Sequence, residues 1–119
     1  MRRRARVAVT SLCTVAAALA LPLPARAATV PWQVVAQQNT FVPGDVVIRQ
    51  GDSLTLTNAD LAVHDVTASD VGPNGPLFRS ATIGPGKQAP VLGVSALDPG
   101  LYPFVCSVHD GMVGTLQVI

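Results

Sequence analysis

Apolar and polar residues alternate with a period of two at several places along the chain. Trp32, Val34 and Ala36 alternate with Gln33 and Gln37, Leu54 and Leu56 with Thr55 and Thr57, and Leu116 and Val118 with Thr115 and Gln117. Successive side chains of a strand point to opposite faces, so each of these segments has one apolar face and one wet face. Two layers of such strands can bury their apolar faces against each other. Turn-forming residues punctuate the chain at Pro43-Gly44, Gly51-Asp52, Asn58-Ala59-Asp60, Pro73-Asn74-Gly75-Pro76, Gly84-Pro85-Gly86 and Asp98-Pro99-Gly100. No segment has a sustained helical period, and no repeat or linker interrupts residues 28–119. The pattern predicts an all-β fold, a two-layer antiparallel sandwich in one domain.

The same alternation says where reactive side chains point. Tyr102, Phe104 and Cys106 share a face opposite Leu101, Pro103 and Val105, which places the thiol at the end of a core-facing stripe. His64 shares a face with Val66, while Val63, Asp65 and Thr67 take the other.

The N-terminus follows a different pattern. A basic start, MRRRAR, precedes an apolar run, VAVTSLCTVAAALAL, and then Pro22, Pro24 and the small-residue motif Ala25-Arg26-Ala27. This is the layout of a secretory signal peptide spanning residues 1–27 and cut after Ala27. The run is shorter than the roughly 20 apolar residues a membrane span needs and is interrupted by Thr10, Ser11 and Thr14. The expected product, residues 28–119, is an exported or periplasmic domain with no stable membrane insertion, and Cys13 leaves with the leader.

Removing the leader changes the charge. The chain has eight basic and seven acidic residues, and Arg2, Arg3, Arg4, Arg6 and Arg26 lie in the leader. Arg49, Arg79 and Lys87 then face seven aspartates, a net charge of −4 in place of the formal +1. No basic patch remains to suggest a nucleic-acid partner. A small exported domain is commonly reinforced by disulfides or a metal, and one remaining cysteine cannot form an internal disulfide.

Residues 28–119 contain His64, Cys106, His109 and Met112 as their entire complement of histidine, cysteine and methionine. Three of these fall in one C-x-x-H-x-x-M segment, CSVHDGM, whose tight spacing can aim them at one point. Two imidazoles, a thiolate and a weakly bound axial thioether form the donor set that suits copper in electron transfer. Sulfur favours Cu(I) and nitrogen favours Cu(II), so one arrangement can serve both oxidation states.

The segment YPFVCSVHDGMVGTLQVI resembles the C-terminal signature of the cupredoxins, the small blue copper proteins, and its short ligand loop is most similar to that of amicyanin-type members. NADLAVHDVT resembles the family motif around the first histidine ligand, and FVPGDVVIRQGDSLTLTN the stretch leading into it. The resemblance implies a Greek-key β-sandwich of seven or eight strands carrying one type 1 copper. It implies equatorial ligands His64, Cys106 and His109, an axial Met112, and a hydrogen bond to the ligand sulfur from the backbone N–H of Asp65. Ser107 conforms to the hydroxyl usual after the cysteine, and Tyr102 matches a family tyrosine near the end of that strand. The chain departs from the family at Asp65, where Asn is frequent, at Val108, where proline is common, and at Asp110 beside His109.

The expected function is that of a monomeric electron carrier, with redox partner proteins docking near His109. The alternative is an envelope copper-binding delivery or storage protein. An enzymatic Cys106–His109 pair is not expected, because a thiol ending an apolar stripe lacks the open, electropositive setting of a reactive cysteine. A two-copper centre of the respiratory-oxidase type needs a second cysteine in the loop, and Ser107 and Asp110 exclude it.

Overall fold

The computed structural model describes residues 13–22 and 31–119. Most of the expected leader, with its cleavage point after Ala27, lies outside the described residues. Among the described residues no helix is long and apolar enough to cross a membrane.

The first layer contains β1 (Trp32–Gln37), β2 (Thr40–Val42), β4 (Leu54–Asn58) and β8 (Gln88–Pro90), in the order β2-β1-β4-β8. The second contains β3 (Asp45–Ile48), β5 (Thr67–Ala68), β9 (Gly100–Val105) and β10 (Val113–Val118), in the order β3-β10-β9-β5. A small hairpin of β6 (Val71–Gly72) and β7 (Gly75–Pro76) completes the set. The chain crosses repeatedly between the layers, giving a Greek-key sandwich whose two sheets hold eight strands. The sheets are mixed, in contrast to the antiparallel arrangement expected: β1 pairs with β4, and β10 with β3, in parallel. Period-two patterning reports which face a side chain takes and carries no information on strand direction.

The core is the contact between the two apolar faces. Val34, Ala36, Leu54 and Leu56 from one layer meet Val46, Ile48, Phe104, Leu116 and Val118 from the other. Phe104 packs edge-on against Phe41, with ring centroids 4.9 Å apart. Its space depends on the residue paired with it across the sheet, Gly114, where a Cβ would lie 2.6 Å from Phe104 Cε2 and 2.9 Å from the Gly44 carbonyl. Trp32 departs from the expected inward stripe. It begins β1, remains half exposed, and donates its indole N–H to Asp52 at 2.9 Å. Burying the indole would require that N–H to find a partner inside the core.

Candidate metal centre

One end of the sandwich gathers the chemistry. β4 ends at Asn58 and β9 at Val105, while β10 starts at Val113, so the segments bearing His64 and Cys106–Met112 emerge side by side. Asn58, fully buried, organises the first segment. Its Nδ2 donates to the carbonyls of Ala62 (2.7 Å) and Ile83 (3.0 Å), and its Oδ1 accepts from the Asp60 N–H (2.9 Å). His64 is then fixed by reciprocal backbone hydrogen bonds with Ile83 at 3.0 and 2.9 Å. A single β-bridge holds it where the sequence suggests the start of a strand.

The second segment is a closed loop. The Cys106 N–H donates to the Met112 carbonyl at 2.9 Å, joining the loop's two ends. Gly111 turns the chain with φ at 78°, a conformation that costs other residues an unfavourable Cβ contact. His64, Cys106 and Met112 are buried and His109 is partly exposed.

His64, Cys106 and His109 each offer one donor atom, and the three lie within 4.8 Å of one another. Nδ1 of His64 is 3.8 Å from Cys106 Sγ, and Nδ1 of His109 is 3.5 Å from it. Imidazole nitrogen and thiolate sulfur bound at about 2.0–2.3 Å around a trigonal centre stand about 3.7 Å apart, so the observed spacings fit one shared ion. The chemistry of the set, two imidazoles and a thiolate with the buried thioether of Met112 in the same loop, is that of a copper site.

His64 has a second partner on its far side. Its Nε2 lies 3.0 Å from Asp60 Oδ2, so the ring donates Nε2–H to the carboxylate and keeps the Nδ1 lone pair facing the sulfur. The Asn39 N–H, foremost, and then His64 and the Leu61 N–H hold the Asp60 carboxyl below its ordinary pKa. Asp60 is absent from the candidate ligands read from the sequence, where it figures in the turn signal Asn58-Ala59-Asp60 and in NADLAVHDVT without a role of its own. Asp65 differs from expectation as well. Its side chain is buried and bonded to Ser107, Thr67 and Thr82, although the alternation with His64 and Val66 places it on the opposite face. Tyr102 lies half buried against the core and donates its hydroxyl to the Asp98 carbonyl at 2.7 Å.

These features define a class: a small Greek-key β-sandwich with a two-histidine, one-cysteine metal centre at one end, buried except at His109. The family profile described as cupredoxin-like domain matches residues 7–118, and the chain belongs to that family. No curated protein sequence matches it. Among solved structures, it is similar to a copper-containing nitrite reductase from Thermus scotoductus, with 26% identity, a TM-score of 0.65 and 83% of this chain covered. This chain spans only 25% of that enzyme's length. It is also similar to an amicyanin variant in its Cu(I) form, with 21% identity, a TM-score of 0.64, and 80% of this chain and 88% of that one covered. A purple cupredoxin from Nitrosopumilus maritimus matches at 24% identity and a TM-score of 0.62, over 74% of this chain and 99% of its own.

Proposed function

We propose that the protein is an electron carrier that holds one copper ion through His64, Cys106 and His109, with Met112 as the axial donor, and passes single electrons between redox partner proteins. The observation that carries this reading is the buried Cys106 sulfur facing two imidazole Nδ1 atoms at 3.5 and 3.8 Å. Bound copper supplies the one-electron Cu(II)/Cu(I) couple. The protein's part is to keep the donors in one arrangement through both states. Asn58 and Asp60 hold His64, and the Cys106–Met112 hydrogen bond closes the loop.

Partners are proposed to dock around His109, the partly exposed donor. Val108 is exposed beside it, and Leu61 and Val63 are exposed on the segment carrying His64. The reading extends to a monomeric, non-enzymatic carrier, exported after cleavage following Ala27. Burial of Cys106 and His64 favours it over delivery or storage, which calls for donors open to exchange with another protein.

The test is the absorption spectrum of the copper-loaded protein. An intense blue band from sulfur-to-copper charge transfer is expected in the wild type, together with its loss in Cys106→Ser. Blue colour persisting in the serine variant, or a wild type that stays colourless with Cu(II), would rule out the assignment. Nitrite turnover by the isolated protein would overturn the non-enzymatic part.

A further inference from the structure

Asp65 is a carboxylate with 3% of its surface exposed, one residue from His64, and it touches the residue after Cys106. Every polar contact it makes is with a group able to donate. Oδ1 accepts from the Ser107 N–H at 2.8 Å and from the Thr67 hydroxyl at 3.1 Å. Oδ2 accepts from the Thr82 hydroxyl at 3.2 Å and, in a close contact, from the Ser107 hydroxyl. An ionised carboxylate is acceptor-only, and four donors converging on its two oxygens are the arrangement that sustains a buried negative charge. Among the described residues no lysine or arginine forms an ion pair with it. Arg79 lines the same cavity as Asp65 and Ser107 without pairing with the carboxylate, so hydrogen bonds supply the charge's direct solvation.

We propose that Asp65 sets the reduction potential of the centre: its buried negative charge, held against Ser107 beside the ligand sulfur, favours Cu(II) and lowers the potential. The inference rests on the copper reading above and adds to it a specific role for Asp65. By Coulomb's law at an effective dielectric of about 20, a unit charge within about 10 Å of a redox centre is worth about a tenfold change or more in the oxidised-to-reduced ratio. Being buried, it is screened little by salt. Asparagine is the isosteric neutral replacement. Its carbonyl can accept from the Ser107 N–H, while the Ser107 and Thr82 hydroxyls rotate to accept from its amide, so geometry is kept and charge removed.

The experiment is redox titration of copper-loaded wild type, Asp65→Asn and Asp110→Asn at low and high ionic strength, with the blue band followed throughout. Asp65→Asn is expected to keep the band and to shift the oxidised-to-reduced ratio about tenfold toward the reduced form, about 59 mV upward for one electron. That shift should survive high salt, whereas any shift in Asp110→Asn, on the exposed loop, should fade. Ser107→Ala keeps the charge and removes a donor that offsets it, so its potential should fall. This opposite sign is something a purely structural role would not produce, and it decides the matter if the asparagine variant does not fold. An intact band with an unchanged or lowered potential in Asp65→Asn overturns the assignment of Asp65 alone, as does an unchanged or raised potential in Ser107→Ala. A wild type without copper uptake overturns the copper reading and this inference with it.

Discussion

At the scale of single residues, the centre depends on groups that do not themselves face the metal position. His64 presents Nδ1 to Cys106 because Asp60 accepts a hydrogen bond from Nε2–H, and Asp60 is in turn fixed by the Asn39 and Leu61 N–H groups. Carboxylates that orient ligand histidines in this way typically contribute 10- to 100-fold in metal affinity. Asp60→Asn is therefore expected to weaken copper binding by about that factor, as measured by competition with a chelator of known affinity. The blue band should remain at saturating copper, since all four donors are still present. Asn58 belongs to the same chain of dependence. It is buried with both ends of its amide used, so Asn58→Ala should leave the Ala62 carbonyl and the Asp60 N–H without partners, reduce the Ile83 carbonyl to its bond from the His64 N–H, and lower stability by about 1–3 kcal/mol or more.

At the scale of elements, strand β9 couples the core to the centre. Phe104 is fully buried and only two residues before Cys106, and it sits in space left by Gly114 in β10, the strand that leaves the ligand loop. A methyl group at 114 has to displace the ring or the Gly44 backbone. Gly114→Ala is expected to cost about 1–3 kcal/mol, read as a lowered midpoint of denaturant unfolding of the metal-free protein with an unchanged slope. Because β9 carries the thiol, the blue band of the copper-loaded variant should shift or broaden as well. The loop contributes its own restraint through Gly111 and the Cys106–Met112 hydrogen bond, which fix the entry to β10 independently of the metal.

At the scale of the whole molecule, a core shared by two four-stranded sheets supports a centre at one end of the sandwich. Since apolar burial and not the metal builds that core, the copper-free protein is expected to keep its β-rich circular dichroism spectrum. Copper binding to the folded state alone should add stability as RT ln(1 + [L]/Kd), about 4 kcal/mol at a free concentration a thousand times Kd, measurable as a rise in melting temperature. The alternation of Leu54 and Leu56, and of Leu116 and Val118, made the inward faces legible from the sequence, because side-chain direction in a strand is a local property. The grouping of Cys106, His109 and Met112 was legible for the same reason, being set within one short loop. Strand direction, the exposure of Trp32 and the inward placement of Asp65 were not, since each depends on pairing between distant segments. The roles of Thr67, Thr82 and Asp60 were likewise decided in three dimensions, because hydroxyls and carboxylates carry no spacing signal until the fold brings them within hydrogen-bond reach. The sequence by itself determined which residues could hold copper. Tertiary structure decided which groups orient those residues and what charge surrounds them, because such contacts exist only once separate segments have met.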